Sequence, residues 1–202
     1  MDDSTGNRYA KQALWQNTSF TSAEVSPGME SERKTGMLQT ARLHLRNLCQ
    51  ADAGTLFDYR NNVGCSRFQR YEDTSMEYLQ RFVEDYSHST FLSREEEQHY
   101  AIVRNGTLEM TGDLSVFFSE ADNCFTLGIT IAPLFQKRGY AYEILKEAVA
   151  QIRDQYPFSD IVALIERENA GSIALFKKLG FAEECYADSI RSYVYTRYGK
   201  ND

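Results

Sequence analysis

The most constraining feature of this 202-residue chain is a change of hydrophobic period across one glycine-containing loop. Residues 125–131 are predicted to form a β-strand, which stops at Ala132-Pro133. Beyond the loop, apolar residues recur at intervals of three and four, which is typical of one buried helical face: Ala141, Ile144, Leu145, Ala148, Val149 and Ile152. The sequence therefore predicts a strand, a short loop and a long helix in direct succession.

The loop and the first residues of that helix carry groups suited to an anion. Gly139 allows a tight turn and lets a bulky anion approach the main chain. The amides that open the helix lack intrahelical acceptors and lie at the positive end of its dipole. Lys137 and Arg138 add two charges, so a phosphate or pyrophosphate site is expected. Its predicted residues are Gln136, Lys137, Arg138, Gly139, Tyr140 and Ala141. The alternative is a plain turn with solvated basic residues.

Composition and spacing exclude several other classes of function. The chain has neither G-x-x-x-x-G-K-[ST] nor G-x-G-x-x-G, which argues against a P-loop or a Rossmann site. Lys and Arg number 22 against 29 Asp and Glu, and the formal net charge is -7. An acidic chain without a basic run is not expected to bind nucleic acid or an anionic membrane. No apolar stretch approaches the ~18–20 residues that a transmembrane helix needs.

Cysteine and histidine usage predicts a cytoplasmic protein without a metal site. The four cysteines are scattered and form no C-x-x-C pair, and the start of the chain lacks the features of a secretory signal. They are therefore expected to be reduced packing residues. The three histidines are isolated from other ligand types, so no metal ligands are predicted.

The chain divides into a polar leader and one domain. Residues 1–39 are rich in polar side chains and are predicted to be a flexible tail; a short docking helix over residues 8–20, with Trp15, is the alternative. Residues 40–202 form the predicted domain. Its element order is expected to be β-α-α-β-β-β-α-β-α-β-β.

Two segments together resemble the GCN5-related N-acetyltransferase (GNAT) family. The strand ending at Pro133, followed by Gln136-x-x-Gly139-x-Ala141, resembles motif A of that family. Glu168-Asn169-Ala170-Gly171-Ser172, through Phe176-Lys177-Lys178-Leu179-Gly180-Phe181, looks like the second half of its core. The E-N-x-x-S and K-L-G-F pattern is similar to the branch that acetylates N-terminal amines of ribosomal proteins. The resemblance implies an α+β sandwich, with a mixed, mostly antiparallel sheet of about seven strands between helices.

The same resemblance implies acetyl-CoA as cosubstrate and direct attack by an amine in a ternary complex. The family splays the strand that ends at Ile131 away from its neighbour, so the amides of Ile129 and Ile131 are expected to bind the pantetheine and the acetyl carbonyl. Asn169 and Phe176 are expected to complete this site. Gly128 favours a bend or a close ligand approach within the strand.

The expected proton-transfer residues depart from the family pattern at two positions. Many relatives have a tyrosine where this chain has Phe176, so Ser172, one helical turn earlier, is predicted to protonate the thiolate. Ser172 as an ordinary first-turn residue is the alternative. Thr126 stands where relatives often have a glutamate base. Glu166 is the predicted base, with Asp113 or a water chain as alternatives.

The amine acceptor is expected to be a protein N-terminus or a small molecule. The resemblance assigns specificity to residues 58–72 and 183–191, with Tyr193 and Tyr195 nearby, and allows a homodimer through the last strands. Two other hypotheses stay open. One is a coenzyme A-binding module without turnover, and the other is an interaction protein that works through its N-terminal tail.

Overall fold

The computed structural model describes residues 37–69, 71, 73–187 and 190–195, with side chains described through Glu184. Most of the predicted tail, including the alternative docking helix at Trp15, lies outside the described residues. Of the residues assigned to that tail, 37–39 are described, and Leu38 is the buried one among them. Leu38 is fully buried, and its carbonyl accepts a hydrogen bond from the amide of Leu45 at 2.8 Å.

A seven-stranded sheet runs through the domain in the order β1-β2-β3-β4-β5-β7-β6. The strands are β1 (Leu43–Asn47), β2 (Gln98–Arg104), β3 (Met110–Ser119), β4 (Cys124–Ile131), β5 (Asp160–Glu166), β6 (Ala182–Ala187) and β7 (Ile190–Tyr195). Neighbouring strands are antiparallel except β4 and β5, which are parallel. The predicted mixed, mostly antiparallel α+β fold is confirmed.

In the described residues, five α-helices cover the sheet: α1 (Ala53–Arg60), α2 (Val63–Ser66), α3 (Met76–Asp85), α4 (Tyr140–Gln155) and α5 (Ala170–Lys178). The four-residue α2 was not predicted. Local sequence explains several helix ends. The Ser75 hydroxyl accepts the amide of Tyr78 at the start of α3, and Gly180, with φ 93°, follows the end of α5.

The helices pack on opposite faces of the sheet. The periodic residues of α4, including Ile144 and Leu145, join Phe176 of α5 in the main apolar core. On the other face, Leu56 of α1 and Leu79 of α3 belong to a second, smaller core. In the described part of the chain, no helix is long and apolar enough to cross a membrane.

Candidate functional site

A gap opens between β4 and β5, the parallel pair at the centre of the sheet. The two strands pair only at their beginnings, from Cys124 opposite Asp160 to Thr126 opposite Val162. Beyond Thr126, β4 continues to pair with β3, and β5 pairs with β7. The far halves of β4 and β5 therefore diverge, which leaves a cleft lined by main-chain groups.

The hydrogen-bond pattern decides which amides of β4 face that cleft. The amide of Ala132 donates to Thr111, so the main chain at this position points towards β3. Because main-chain groups alternate along an antiparallel strand, Ile129 and Ile131 point the opposite way. No register shift interrupts the β3–β4 pairing between them. The structure thus directs the amides of both isoleucines into the cleft.

The loop after β4 turns sharply onto the start of α4. Lys137 and Gly139 both have left-handed backbone conformations, with φ of 59° and 80°. The first intrahelical hydrogen bond of α4 runs from the amide of Glu143 to the carbonyl of Gly139, at 3.1 Å. Among the described residues, no hydrogen bond uses the amides of Tyr140 or Ala141, which remain free to bind an anion.

Two of the predicted loop side chains turn back onto the protein. The Gln136 Nε2 group donates to the carbonyl of Ile131 at 2.9 Å, and Arg138 Nη2 donates to the carbonyl of Leu134 at 2.8 Å. Both side chains therefore stabilise the shape of the loop. Lys137 is exposed, whereas the ring of Tyr140 is buried against the core.

An unpredicted brace joins the loop to the start of the sheet. Arg42 Nη1 donates to the carbonyl of Arg138 at 3.0 Å, and Arg42 Nε donates to Glu143 Oε2 at 2.6 Å. Thr40 Oγ1 donates to the other carboxylate oxygen at 2.6 Å. These contacts span about a hundred positions of sequence, so no local pattern could have indicated them.

Helix α5 begins beside the end of β5, near the open end of the cleft. Asn169 is its N-cap, and Oδ1 accepts the amide of Ser172 at 3.1 Å. Ser172 is half-buried on the first turn. One turn later, Phe176 is 3 % exposed and packs edge-on against Phe181, with ring centroids 5.0 Å apart. Ser172 and Phe176 thus share the helix face that points inwards.

The comparison with protein families decides the identity of this arrangement. The family model described as "Acetyltransferase (GNAT) domain" matches residues 42–182, well over half of the chain. The chain belongs to the GNAT acetyltransferase family. The predicted resemblance is therefore confirmed, and the cleft, the loop and the start of α4 lie within the matched residues. The family uses acetyl-CoA, and the residues around the cleft fit a thioester with a diphosphate.

Solved structures share the fold at low sequence identity. An acetyltransferase of the GNAT family from Bacillus anthracis has a TM-score of 0.66 and 16% identity, over 79% of this chain and 96% of its own. RimL, a ribosomal L7/L12 α-N-protein acetyltransferase in complex with coenzyme A, has a TM-score of 0.65 and 17% identity, with coverage of 78% and 95%.

A mutant of the spermidine N-acetyltransferase SpeG from Vibrio cholerae gives a TM-score of 0.61 and 17% identity, over 77% of this chain and 94% of its own. At these identities the structures establish the common GNAT fold. No protein of curated function matches the chain in sequence.

In this GNAT domain, Glu166 lies at the end of β5. Val162 and Leu164 pack with Cys124 on the face opposite the main core, and alternation along the strand puts Glu166 on that face. If the register of Thr126 with Val162 is extended, Glu166 falls opposite Thr130 across the cleft. Both residues are partly buried.

The alternative base, Asp113, is held in a buried network on β3. It is 5% exposed. Its Oδ1 accepts the Tyr59 hydroxyl at 2.6 Å, and its Oδ2 lies 3.5 Å from Arg60 Nη2 and 3.8 Å from His99 Nδ1. Burial alone would raise the pKa of Asp113, but His99, Arg60 and Tyr59 lower it below its usual range. A carboxylate stabilised in this way is a weak proton acceptor.

The network around Asp113 also includes Arg60 and His99. The guanidinium of Arg60 lies between aromatic rings, 4.7 Å from the centroid of Tyr71 and 4.3 Å from that of Phe82. His99 Nε2 lies 3.3 Å from Glu97 Oε1. Burial would lower the pKa of His99, but Asp113 and Glu97 outweigh burial and raise it.

Several side chains near Thr130 and Ile131 were not predicted individually as site residues. Thr130 Oγ1 lies 3.4 Å from the Tyr71 hydroxyl and accepts from Gln69 Nε2 at 3.3 Å. Cys65 Sγ donates to the carbonyl of Ile131 at 3.5 Å. Cys65, Gln69 and Tyr71 belong to the segment 58–72 that was predicted to confer acceptor specificity. The described residues contain no group of three potential metal ligands.

Proposed function

We propose that this GNAT protein transfers an acetyl group from acetyl-CoA directly to a primary amine in a ternary complex. The observation that carries the proposal is the cleft between β4 and β5: the amides of Ile129 and Ile131 face it, and the free N-terminus of α4 follows β4 after one short loop. The thioester supplies the acetyl group when it is bound. A linear ligand with a diphosphate at one end and a carbonyl at the other suits these donors.

The main chain performs the electrostatic part of the reaction. The amides of Ile129 and Ile131 donate hydrogen bonds to the pantetheine and to the acetyl carbonyl, whose oxygen gains negative charge during attack. The amides of Tyr140 and Ala141 hold the diphosphate at the positive end of α4. Because these donors belong to the backbone, side-chain chemistry is needed only for proton transfer.

Ser172 is the proposed acid. The amine nitrogen forms a bond to the acetyl carbon, and the carbon–sulfur bond breaks. The sulfur takes a proton from the Ser172 hydroxyl, which regains one from the attacking nitrogen as the amide forms. Its place on the inward face of α5, one turn before Phe176, supports this role. Asn169 fixes the first turn of α5 through the amide of Ser172, at 3.1 Å from Asn169 Oδ1. The phenyl ring of Phe176 has no proton to donate.

Glu166 is the proposed acceptor of the ammonium proton. Asp113 is the weaker candidate because its oxygens already engage Tyr59, Arg60 and His99, and its pKa is lowered. Glu166 lies at the open end of β5, opposite Thr130. The amine would enter on the α1–α3 side, where Tyr71 and Gln69 approach the same threonine.

The acceptor class is a primary amine, either a peptide N-terminus or a small molecule. Among the fold neighbours are a ribosomal-protein acetyltransferase and a spermidine acetyltransferase, so the fold accommodates both kinds. A panel of peptides and small amines should therefore be assayed by thiol release from acetyl-CoA. Acetyl-CoA binding should be measured in parallel by titration calorimetry.

Substitutions test the assigned roles. Ser172→Ala should lower kcat about 100-fold with little change in the KM for acetyl-CoA, and Ser172→Thr should restore most of it because a hydroxyl returns. Glu166→Gln should lower kcat with little change in the KM for acetyl-CoA, because the amide cannot accept the ammonium proton. Glu168→Gln is its matched control, since Glu168 is exposed two residues further on.

The outcomes separate the hypotheses. Thiol release that depends on one amine class supports the proposal. Tight acetyl-CoA binding without release across the panel would instead support a binding module. If acetyl-CoA does not bind the wild-type protein, the proposed use of the cleft is wrong.

A further inference from the structure

One side chain at the start of the sheet holds both sides of the turn at Gly139. Arg42 donates from Nη1 to the carbonyl of Arg138 and from Nε to Glu143, at 3.0 and 2.6 Å. Its guanidinium also lies 4.9 Å from the centroid of the Tyr140 ring. Arg42 therefore joins Arg138, just before Gly139, to Glu143 in the first turn of α4.

Glu143 is fixed as firmly as Arg42. Its Oε1 accepts Thr40 Oγ1 at 2.6 Å and the main-chain amide of Arg42 at 3.0 Å. Partial burial would raise the pKa of Glu143, but the hydrogen bonds from Thr40 and Arg42 and the charge of Arg42 lower it. The carboxylate is thus negatively charged at neutral pH.

That charge creates an electrostatic conflict. Glu143 is the fourth residue of α4, in the same first turn whose amides would hold a diphosphate. A carboxylate there stabilises the helix itself but repels an incoming anion. Arg42 lies between this carboxylate and the carbonyl of Arg138, so its positive charge offsets the repulsion. The helix dipole and the free amides of Tyr140 and Ala141 can then attract the diphosphate.

We propose that Arg42 is a positioning residue for the diphosphate of acetyl-CoA: it sets the shape of the turn at Gly139 and neutralises Glu143. This inference rests on the proposed function. It assigns a role to a residue just before β1, about a hundred positions away from the loop that it serves.

The two parts of the role predict different responses to substitution. Arg42→Gln should raise the Kd for acetyl-CoA about 10-fold, because it removes the hydrogen bonds and exposes the charge of Glu143. Adding Glu143→Gln to that variant should recover about half of the loss on a logarithmic scale. Arg42→Lys should fall between the wild type and Arg42→Gln, since it keeps the charge but loses the planar fork.

A truncated donor separates the diphosphate from the rest of the ligand. S-acetylpantetheine has the thioester and pantetheine but no diphosphate. Its kcat/KM should be the same, within about twofold, for the wild type and for Arg42→Gln, whereas kcat/KM for acetyl-CoA should fall about 10-fold through KM. At saturating acetyl-CoA, kcat should change little, as expected for a residue that does not touch the reacting atoms.

Arg94→Gln is the matched control. Arg94 is an exposed arginine whose guanidinium lies 4.2 Å from the Phe118 ring centroid, and Phe118 pairs with the beginning of β4, away from the loop. The substitution removes the same charge, so it should leave acetyl-CoA binding unchanged. Thermal unfolding of all variants should show that they are folded, because an ion pair whose arginine is half exposed contributes little stability.

The outcomes distinguish this inference from the function on which it rests. If the wild type binds acetyl-CoA and Arg42→Gln binds it equally well, the role of Arg42 is disproved while the proposed function stands. Equal losses with acetyl-CoA and S-acetylpantetheine would also overturn it, because the effect would not involve the diphosphate. If Glu143→Gln recovers nothing, the neutralisation of Glu143 is wrong. A wild type that binds no acetyl-CoA would disprove the function itself.

Discussion

The face of the sheet beneath α4 and α5 is packed almost entirely with apolar side chains, whereas the face beneath α1–α3 also buries charges. On the first face, Ile144, Leu145 and Phe176 form part of one continuous apolar core. On the second face, Asp113 and Arg60 are 5% and 4% exposed, next to His99. The proposed donor site uses the first kind of surroundings, and the proposed acceptor side uses the second.

The difference shows that the proposed donor site and the proposed acceptor side depend on different kinds of packing. A donor site built from backbone amides needs rigid, well-packed supports, and apolar packing provides them. A buried charged network is stabilised only by its own partners, so it is sensitive to the loss of any one of them. We therefore expect substitutions on the two faces to differ in size and in pH dependence.

The largest expected effect is on the charged face. Asp113→Asn should lower the free energy of unfolding by about 3–5 kcal/mol, because it leaves Arg60 buried without a counter-ion and removes one of the two carboxylates beside His99. On the apolar face, Ile144→Val should cost only about 0.5–1.5 kcal/mol, as for the loss of one buried methylene. Urea unfolding at one pH measures both.

An exposed ion pair is the control for charge removal as such. Arg104 Nη1 donates to Glu109 Oε2 at 2.6 Å in a solvent-exposed position. Glu109→Gln should change the free energy of unfolding by less than about 1 kcal/mol. If Asp113→Asn has an equally small effect, the network does not stabilise the fold and the comparison of the two faces fails.

The next effect concerns the strand that carries the donor amides. A Cβ on Gly112 would lie 2.0 Å from the carbonyl oxygen of Thr130 and 2.9 Å from the Cα of Ile131. Gly112→Ala should therefore push β3 away from β4, cost about 1–3 kcal/mol of stability, and weaken acetyl-CoA binding.

Gly54 provides the matched substitution in α1. A Cβ there has no neighbour within 4 Å, so Gly54→Ala should stabilise the protein by about 0.4–1 kcal/mol and leave acetyl-CoA binding unchanged. Unfolding and calorimetric titration of both variants make the comparison. Equal behaviour of the two alanines would show that close packing at Ile131 does not control the donor site.

The smallest expected effect is the pH dependence of the charged face. Because its pKa is raised in the folded protein, charged His99 contributes stability that is complete below about pH 6.5 and is lost as the pH rises through the folded pKa. Asp113 has the opposite sign, since its pKa is lowered: its contribution is lost as the pH falls below about 3.8 towards the folded value.

Chemical unfolding of the wild type and of His99→Gln at about pH 6 and about pH 9 tests this sign. The wild type should lose stability between the two values, and the variant should lose less. The carboxylates of Glu97 and Asp113 and the ring of Tyr86 lie beside His99. Arg60 lies beside Asp113, and all four residues are unchanged in the variant. A parallel decline in both proteins would mean that His99 does not titrate as the geometry implies.

Local patterns in the sequence were sufficient for most of the helices and strands, although not for the four-residue α2, and for the turn that leads into α4. The helical period of α4, the turn at Gly139 and the cap at Asn169 each depend on residues within a few positions of each other. The roles proposed for Ile129 and Ile131 came from the family resemblance, and the observed pairing directs their amides into the cleft. Their contact with acetyl-CoA stays a prediction.

Side-chain roles were less accessible to sequence reasoning. Gln136 and Arg138 were predicted to bind the cofactor, and the structure adds that both donate to nearby carbonyls and shape the loop. Their contact with acetyl-CoA stays a prediction. Asp113 read as a possible base, although its burial among Tyr59, Arg60 and His99 favours a structural acid. A side chain's partners depend on packing between distant segments, which composition and spacing do not specify.

By itself, the sequence determined where strand, turn and helix follow one another around Gly139, because period and backbone freedom are local properties. It also indicated the GNAT family through two motifs in the right order. Only the tertiary structure decided that β4 and β5 separate after Thr126 and that Arg42 joins the turn at Gly139 to Glu143. It also decided that Arg60 and His99 surround the Asp113 carboxylate in the interior. Each of these depends on long-range contacts whose energies arise only when distant segments exclude water together.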